Sequence, residues 1–356
     1  MGRVISADLR QNLTSLTSEA LLQAVENSSK TLLQTMNSLE SSLMVLAYEA
    51  EKALMGNPPE APRIYYAPEF DNPTLAPPNL TPYRRYLKNL KTGRFPTILV
   101  SYDHPVFLLA PGVSKLSVEN DVKRLTRIAP TLKRLSGKLG KMVFWTYVST
   151  ENGIHISYPG HGGYPENYDP RRRPWYRDAA GDVQWTFPIV DATTGLVIFT
   201  ASKRFQHADR SNAGVVGMDI QITEILQEKE LAYDWSSQMR SFLVATSDNP
   251  ESNSPGLLIL AQRDYQDKQI AWSGIIEKEW LLSENSNKLD KIVLDLKDME
   301  SGYVELPYKG VDSIWAYAGI TEKVHFVVIV PKSVVMDLPD RTSRTILEYT
   351  REQLIY

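Results

Sequence analysis

Three arginines, three aromatic residues and two prolines fall within nine positions of one stretch, Tyr168-Asp169-Pro170-Arg171-Arg172-Arg173-Pro174-Trp175-Tyr176. Arginine presents a planar fork of donors that matches a carboxylate. Trp and Tyr add apolar faces, each with one polar tip. Pro174 suits the first position of a short helix, where no N–H is needed, and Gly181 suits the residue past its end. This pattern predicts Arg173, Trp175 and Tyr176 at a helix N-terminus, where free backbone N–H groups favour an anion. Two readings stand at this point. One is a site for a small carboxylate closed by aromatics; the other is a structural knot, with an Arg stacked on Trp and paired with a nearby Asp.

A second stretch, Ala213-Gly214-Val215-Val216-Gly217-Met218-Asp219-Ile220, reads as a buried strand. Alternation puts Val215, Gly217 and Asp219 on one face and Val216, Met218 and Ile220 on the other. An Asp on an otherwise apolar strand is costly unless paired. Asp219 could take a ligand ammonium group across the space that Gly217 leaves, pair with Arg171 or Arg172, or cap a strand end. Asp191 either faces a ligand side chain or starts the turn Asp191-Ala192-Thr193-Thr194-Gly195. Tyr147 and Trp145 share a strand face and either line a pocket or fill the core. His161 lies in Gly160-His161-Gly162-Gly163, a pocket edge where glycine permits close backbone approach.

Other chemistry is poorly supported. The histidines, His104, His155, His161, His207 and His325, share no H-x-x-x-H spacing and no acidic cluster. Each is expected in a structural or surface role, and neither a metal nor a cofactor is expected. No G-x-S-x-G is present and no nucleophile–base pair emerges, so an enzyme is not expected. The chain has no cysteine, which excludes disulfides and thiolate chemistry. A net charge of −3 gives no reason to expect nucleic-acid binding. Hydrophobic content of 42% and charged content of 23% suit a soluble globular protein. No run approaches the roughly 20 apolar residues of a membrane helix, and no signal-peptide core is evident.

The elements that must position these residues follow from periodicity. Residues 5–55 read as one long helix, with Leu32, Met36, Leu39, Leu43, Leu46 and Ala50 as a heptad seam. Such a helix could serve two subdomains and offer a dimer face. The proline-rich stretch 57–82 cannot be regular helix or central strand. Residues 98–101 and 106–109 flank Tyr102-Asp103-His104-Pro105 and read as a hairpin. A helix stripe runs from Val118 to Leu135, with Pro130 predicting a kink or break. Strands are expected at 142–148, 154–158, 183–190, 196–205 and 214–220, an antiparallel PAS-like α+β unit. A short helix at 222–232, with Thr223 as candidate cap, is followed by weaker strands at 242–245, 257–261, 302–306, 314–320 and 325–330. They suggest a second, smaller PAS-like unit, with no equivalent of the R-x-W-Y site. Residues 333–356 read as an exit helix.

Together the two stretches resemble the double Cache family of extracytoplasmic sensor domains, through the D-P-R-x-R-P-W-Y segment and the G-V-V-G-x-D strand. Within it they resemble the amino-acid-binding subgroup, on Tyr168, Arg173, Trp175, Tyr176 and Asp219. The resemblance implies that Arg173 and Trp175 hold a ligand carboxylate. It implies that Tyr168 and Asp219 hold the α-ammonium group, with Tyr176 bridging or shaping the wall. The fold implied is α+β: a long N-terminal helix (1–56), a membrane-distal PAS-like ligand-binding subdomain (57–221), a membrane-proximal one (222–332) and an exit helix (333–356). Residues 57–115 depart from the usual pattern as a long insertion.

The function implied is the sensing region of a bacterial transmembrane receptor, on the periplasmic or extracellular face of its membrane, binding an α-amino acid without covalent chemistry. Its partners would be that small molecule, the membrane through flanking helices outside this chain, and a second copy through the N-terminal helix. Two alternatives stay open. The same fold could bind a simple carboxylate or an amine, or the chain could be a structural or dimerisation module with no ligand.

Overall fold

An uninterrupted helix, Gly2–Met55, begins the protein. The computed structural model describes residues 2–60, 62–83, 97–226, 238–250, 254–266, 270–274 and 276–335, with backbone alone at 2–13, 223 and 224. Neither proline nor glycine occurs between residues 3 and 55, so nothing stops the helix until Gly56 and Pro58-Pro59. Leu32, Leu39, Leu43, Leu46 and Ala50 are buried and Met36 is half-buried, as the heptad seam predicts. Among the described residues, no helix is long and apolar enough to cross a membrane.

The chain divides into two units, one of residues 36–225 with 264–276 and one of residues 1–35, 226–263 and 277–356. In chain order the strands of the first unit are β1 (Thr81–Pro82), β2 (Leu99–Ser101), β3 (Val106–Leu109), β4 (Val143–Thr150), β5 (Ile154–Tyr158), β6 (Gly160–His161), β7 (Gln184–Val190), β8 (Val197–Gln206) and β9 (Asn212–Gln221). Six form an antiparallel sheet ordered β3-β5-β4-β9-β8-β7. β4 and β9 take its centre and, with apolar side chains on both faces, are buried along almost their whole length. The helical stripe is broken at the proline, as expected, into Lys115–Leu125, a 3₁₀ turn Thr126–Ile128 and Ala129–Leu139. Pro130 sits in the first turn of the last piece, where its missing N–H costs nothing.

The hairpin expected from 98–101 and 106–109 does not form. β3 pairs with β5. β2 joins a separate three-stranded sheet ordered β1-β2-β6. His104 and Pro105 pass so close to Gly160 that a Cβ there would meet the His104 carbonyl at 2.2 Å. That packing directs the two segments to different partners. The proline-rich stretch holds one helical turn, Ala67–Phe70, and the edge strand β1, where Pro82 removes no needed donor.

The second unit has β10 (Arg240–Asn249), β11 (Ser254–Gln262), β12 (Trp280–Leu281), β13 (Gly302–Glu305), β14 (Ser313–Thr321) and β15 (Val324–Pro331), ordered β12-β11-β10-β15-β14-β13. A helix absent from the sequence expectations, Ser286–Lys297, buries Ile292, Val293 and Leu296. It is capped by Asn285, whose side chain accepts from the Lys288 N–H at 3.2 Å. The helix expected at 222–232 is described as Ile222–Leu226. The rest of it, and residues 336–356 of the expected exit helix, lie outside the described residues.

Candidate functional site

The nine-residue motif is assembled by proline and one aspartate. Pro170–Arg172 forms a 3₁₀ turn capped by the Asp169 side chain, which accepts from the Arg171 N–H at 3.0 Å. Arg171 returns a bidentate pair to the same carboxylate, Nε to Oδ1 at 2.9 Å and Nη2 to Oδ2 at 2.8 Å. That pairing holds the Asp169 carboxyl below its ordinary range. Of the structural knot, the Arg–Asp pair exists, but it engages Arg171 and not Arg173, and no described contact stacks Arg171 on a Trp. The next turn, Pro174–Arg177, is a single helical turn. It stops at Asp178, whose N–H bonds the Pro174 carbonyl, so the end expected near Gly181 comes three residues earlier. One turn has little macrodipole, so the positive group at this place is the Arg173 side chain and not a helix N-terminus.

Arg173 and Trp175 turn inward while Arg172 stays at the surface. Arg173 is 9% exposed. Its Nη1 donates to the Trp272 carbonyl at 2.9 Å and its Nη2 to the Val190 carbonyl. Its Nε–H is buried and finds no acceptor among the described residues.

Asp219 is placed by strand register. On β9 it stands opposite Trp145 of β4 and Thr200 of β8. Directly opposed residues share a sheet face, which explains the contacts of its carboxylate. Oδ1 accepts from Thr200 Oγ1 at 2.7 Å and from the Tyr147 hydroxyl at 2.9 Å. No described hydrogen bond reaches Oδ2. Burial, then the nearby Asp191 charge, pushes the Asp219 carboxyl up to about 8, against the hydrogen bonds from Thr200 and Tyr147 and the Arg173 charge. The alternative ion pair of Asp219 with Arg171 or Arg172 does not form among the described residues. Nor does Gly217 leave space for a ligand. A Cβ there would lie 2.3 Å from the Tyr147 ring, so the missing side chain makes room for Tyr147, which then reaches Asp219.

These residues line one cavity, with about 360 Å³ of space between atoms when the open solvent at its mouth is included. Of the sequence-predicted residues, Tyr168, Arg173, Trp175, Asp219, Asp191, Tyr147 and His161 all line it. Tyr176 does not. Consecutive helical residues point about 100° apart, and Tyr176 instead packs edge-on against Trp175 at 5.8 Å. Burial pushes its hydroxyl up to about 12. Asp191 does both things open to it. It lines the cavity, and its Oδ2 closes the turn by accepting from the Thr194 N–H at 2.7 Å.

Trp145, His155, Ser157, Tyr164, Thr193 and Thr200 complete the polar and aromatic lining. His155 fits the structural role expected of it and also lines the cavity. It is buried beside Ser149 Oγ at 2.6 Å, and burial lowers it to about 3. Alternation along β5 and the register of Thr200 with Asp219 were the available signals for these residues. Trp272 lacked one. It comes from residues 264–276 of the same unit, and its ring meets Tyr168 at 5.9 Å while its carbonyl holds Arg173. The insertion contributes Tyr83, stacked on Trp145 at 4.7 Å, and Asp71, which accepts from the Gly163 N–H at 2.9 Å.

Comparison with known proteins points to one family. Residues 126–227 match the family model described as the methyl-accepting chemotaxis protein-like, first PDC sensor domain. Methyl-accepting chemotaxis protein McpB of Bacillus subtilis is 35% identical over 135 residues, which cover 32% of this chain and 20% of McpB. PctB of Pseudomonas aeruginosa is 30% identical over 91 residues, 25% of this chain and 14% of PctB. The matched stretches thus span a fifth or less of these relatives. Among solved structures, the ligand-binding domain of the Pseudomonas fluorescens chemoreceptor CtaA in complex with L-isoleucine covers 93% of this chain and 98% of its own, at 14% identity and TM-score 0.49. The resemblance to sensor domains of the double Cache kind is borne out, through the match of residues 126–227 to a PDC sensor domain of the chemotaxis-receptor type.

Proposed function

We propose that this chain, with its chemotaxis-receptor-type sensor domain, is the extracytoplasmic ligand-binding region of a bacterial membrane receptor, and that the cavity of its first sheet binds an α-amino acid. One observation supports this most: a guanidinium with an unpartnered buried Nε–H and a carboxyl with an unengaged oxygen line the same cavity. An α-amino acid carries the two complementary charges. Its carboxylate would take Arg173, with Trp175 beside it. Its ammonium group would take Oδ2 of Asp219, with Tyr168 alongside. Each charge-assisted contact should contribute roughly 1.5–3 kcal/mol. A ligand lacking either charge leaves a buried group unpaired, and this asymmetry sets specificity for the amino-acid backbone.

The receptor reading rests on the relatives, which are methyl-accepting chemotaxis proteins. It places the domain outside the cytoplasm, between membrane helices beyond this chain, with dimerisation through the N-terminal helix. Signalling follows if ligand favours one arrangement of the first unit over another. The test is a thermal-shift screen against the twenty amino acids, short carboxylates and amines. A ligand of the folded state raises the melting temperature by mass action. A rise with one or a few amino acids, lost in Arg173→Ala, is the expected result; no rise with any amino acid would sink the reading.

A further inference from the structure

One wall of the cavity is a column of rings. Tyr83 stacks on Trp145 at 4.7 Å, Trp145 on His161 at 3.9 Å, and His161 on Tyr164 at 4.7 Å, with interplanar angles of 21°, 29° and 18°. The last three line the cavity. The column is locked at several points. Tyr83 donates its hydroxyl to the Phe144 carbonyl at 2.6 Å. His161 Nδ1 lies 2.8 Å from the Gly162 carbonyl, which accepts only from N–H, so Nδ1 carries the proton. Nε2 is then the acceptor for the Tyr164 hydroxyl, 3.1 Å away. Asp71 and the glycines of the loop hold that segment in place: a Cβ on Gly162 would lie 2.1 Å from Asp71 Oδ1.

One polar group in this wall has nothing to do. Trp145 is 2% exposed, and its indole N–H is buried with no acceptor among the described residues. Every other heteroatom named in the column is engaged. A buried N–H without an acceptor is a standing cost, and phenylalanine would serve the stacking without it. Trp145 also stands opposite Asp219 in the register of β4 and β9, so it adjoins the place assigned to the ammonium group.

We propose that Trp145 reads the side chain of the bound amino acid, donating its indole N–H to a carbonyl or hydroxyl oxygen of an uncharged side chain laid along the Trp145–His161 wall. The proposal rests on the amino-acid reading of the cavity. A flat, neutral wall favours a small planar or compact polar group. A cationic side chain would meet an N–H donor there, and an anionic one would meet the carboxylates of Asp191 and Asp219, which share the cavity.

Calorimetric titration of near-isosteric pairs tests it without a variant: asparagine against leucine, threonine against valine, serine against 2-aminobutyrate, with lysine and glutamate as charged controls. At least one acceptor-bearing member should bind about tenfold or more tightly than its apolar partner, and Trp145→Phe should remove that advantage. The variant should weaken the acceptor-bearing ligand about tenfold and leave the apolar one within twofold. Apolar members binding as tightly as their polar partners in the parent protein, a charged control binding tightest, or an equal loss for both members in Trp145→Phe would each overturn the proposal while leaving the amino-acid reading intact. Binding of no amino acid at all would overturn both.

Discussion

The two six-stranded sheets are built to the same plan and differ in what was added. Set aside one edge strand in each, β3 and β12, and the remaining orders are β5-β4-β9-β8-β7 and β11-β10-β15-β14-β13. Each begins with a hairpin, continues through a crossover and returns by a three-stranded meander whose last strand lies beside the first. In the first sheet the crossover between β5 and β7 carries His161, Tyr164, Tyr168, Arg173 and Trp175, and the last strand carries Asp219. In the second, the crossover between β11 and β13 holds the helix Ser286–Lys297, and the last strand, Val324–Pro331, has no carboxylate. The scaffold needs only alternating apolar residues, which both sheets have. The candidate site comes mainly from one crossover and one buried carboxyl, with Trp272 of the other crossover holding Arg173, so the fold alone does not imply ligand binding.

The sharpest way to break this comparison is to remove the charge from the crossover. Arg173→Ala should weaken amino-acid binding by about a hundredfold or more, given roughly 3 kcal/mol for a charge-assisted contact at the upper end. Melting of the ligand-free protein should persist as a cooperative transition, because the sheet does not depend on this side chain. Calorimetry decides it: a variant that binds as the parent does would show that the crossover is structural in both sheets.

Asp219→Asn comes next, with an expected loss of about ten- to hundredfold for an amino acid or an amine. A plain carboxylate should bind the variant as well as the parent, which separates the two ligand classes. The same residue predicts a pH dependence. Its carboxyl titrates near 8 in the empty site, so at pH 7 it is mostly protonated, whereas an ammonium group favours the carboxylate. Affinity should rise with pH below 8, by up to about tenfold per pH unit, and level off above. Stability should move the other way. The folded carboxyl holds its proton from the ordinary carboxylate range up to about 8, so the folded state binds more protons than the unfolded state there. Stability of the ligand-free protein from this group therefore falls as pH rises through that window. Both slopes should flatten in Asp219→Asn; a parent affinity that is level between pH 6 and pH 8 would contradict the protonated carboxyl.

Most strands were legible because a sheet with buried faces writes a period of two into its sequence. Pairing was less so. The apolar runs 98–101 and 106–109 are adjacent in sequence, but adjacency does not set partners, and the packing of His104 and Pro105 against Gly160 separates them. Asp219, Arg173 and Trp175 stood out because a charge or a large aromatic in that setting needs a reason. Spacing alone did not show whether Tyr176 lines the cavity: it packs behind Trp175 instead, a place from which it can still shape the wall. Trp272 carries no local signal at all: its role depends on a contact with Arg173 across 99 positions. The helix Ser286–Lys297 was readable after the fact, from Asn285 as cap and Ile292, Val293 and Leu296 at helical spacing.

The smallest expected effect lies in the sheet without the motif. His325 on β15 is buried, and neither ring nitrogen finds a partner among the described residues. Burial lowers it to about 4, so in the folded protein it stays neutral while the unfolded chain protonates near 6.5. The unfolded state then binds more protons between those values, and this group's contribution to stability grows as pH rises from about 4 to 6.5. His155 and His161, lowered to about 3 and about 4, act in the same direction from the first unit. His325→Phe replaces an unsatisfied ring with an apolar one of similar shape. It should leave ligand affinity within twofold, keep or slightly raise the melting temperature at pH 7, and raise it more at pH 5, where the imidazole costs most. Melting curves at the two pH values check this. A change in amino-acid affinity would mean that the second sheet takes part in recognition, and that the division between a bare scaffold and a furnished one is drawn in the wrong place.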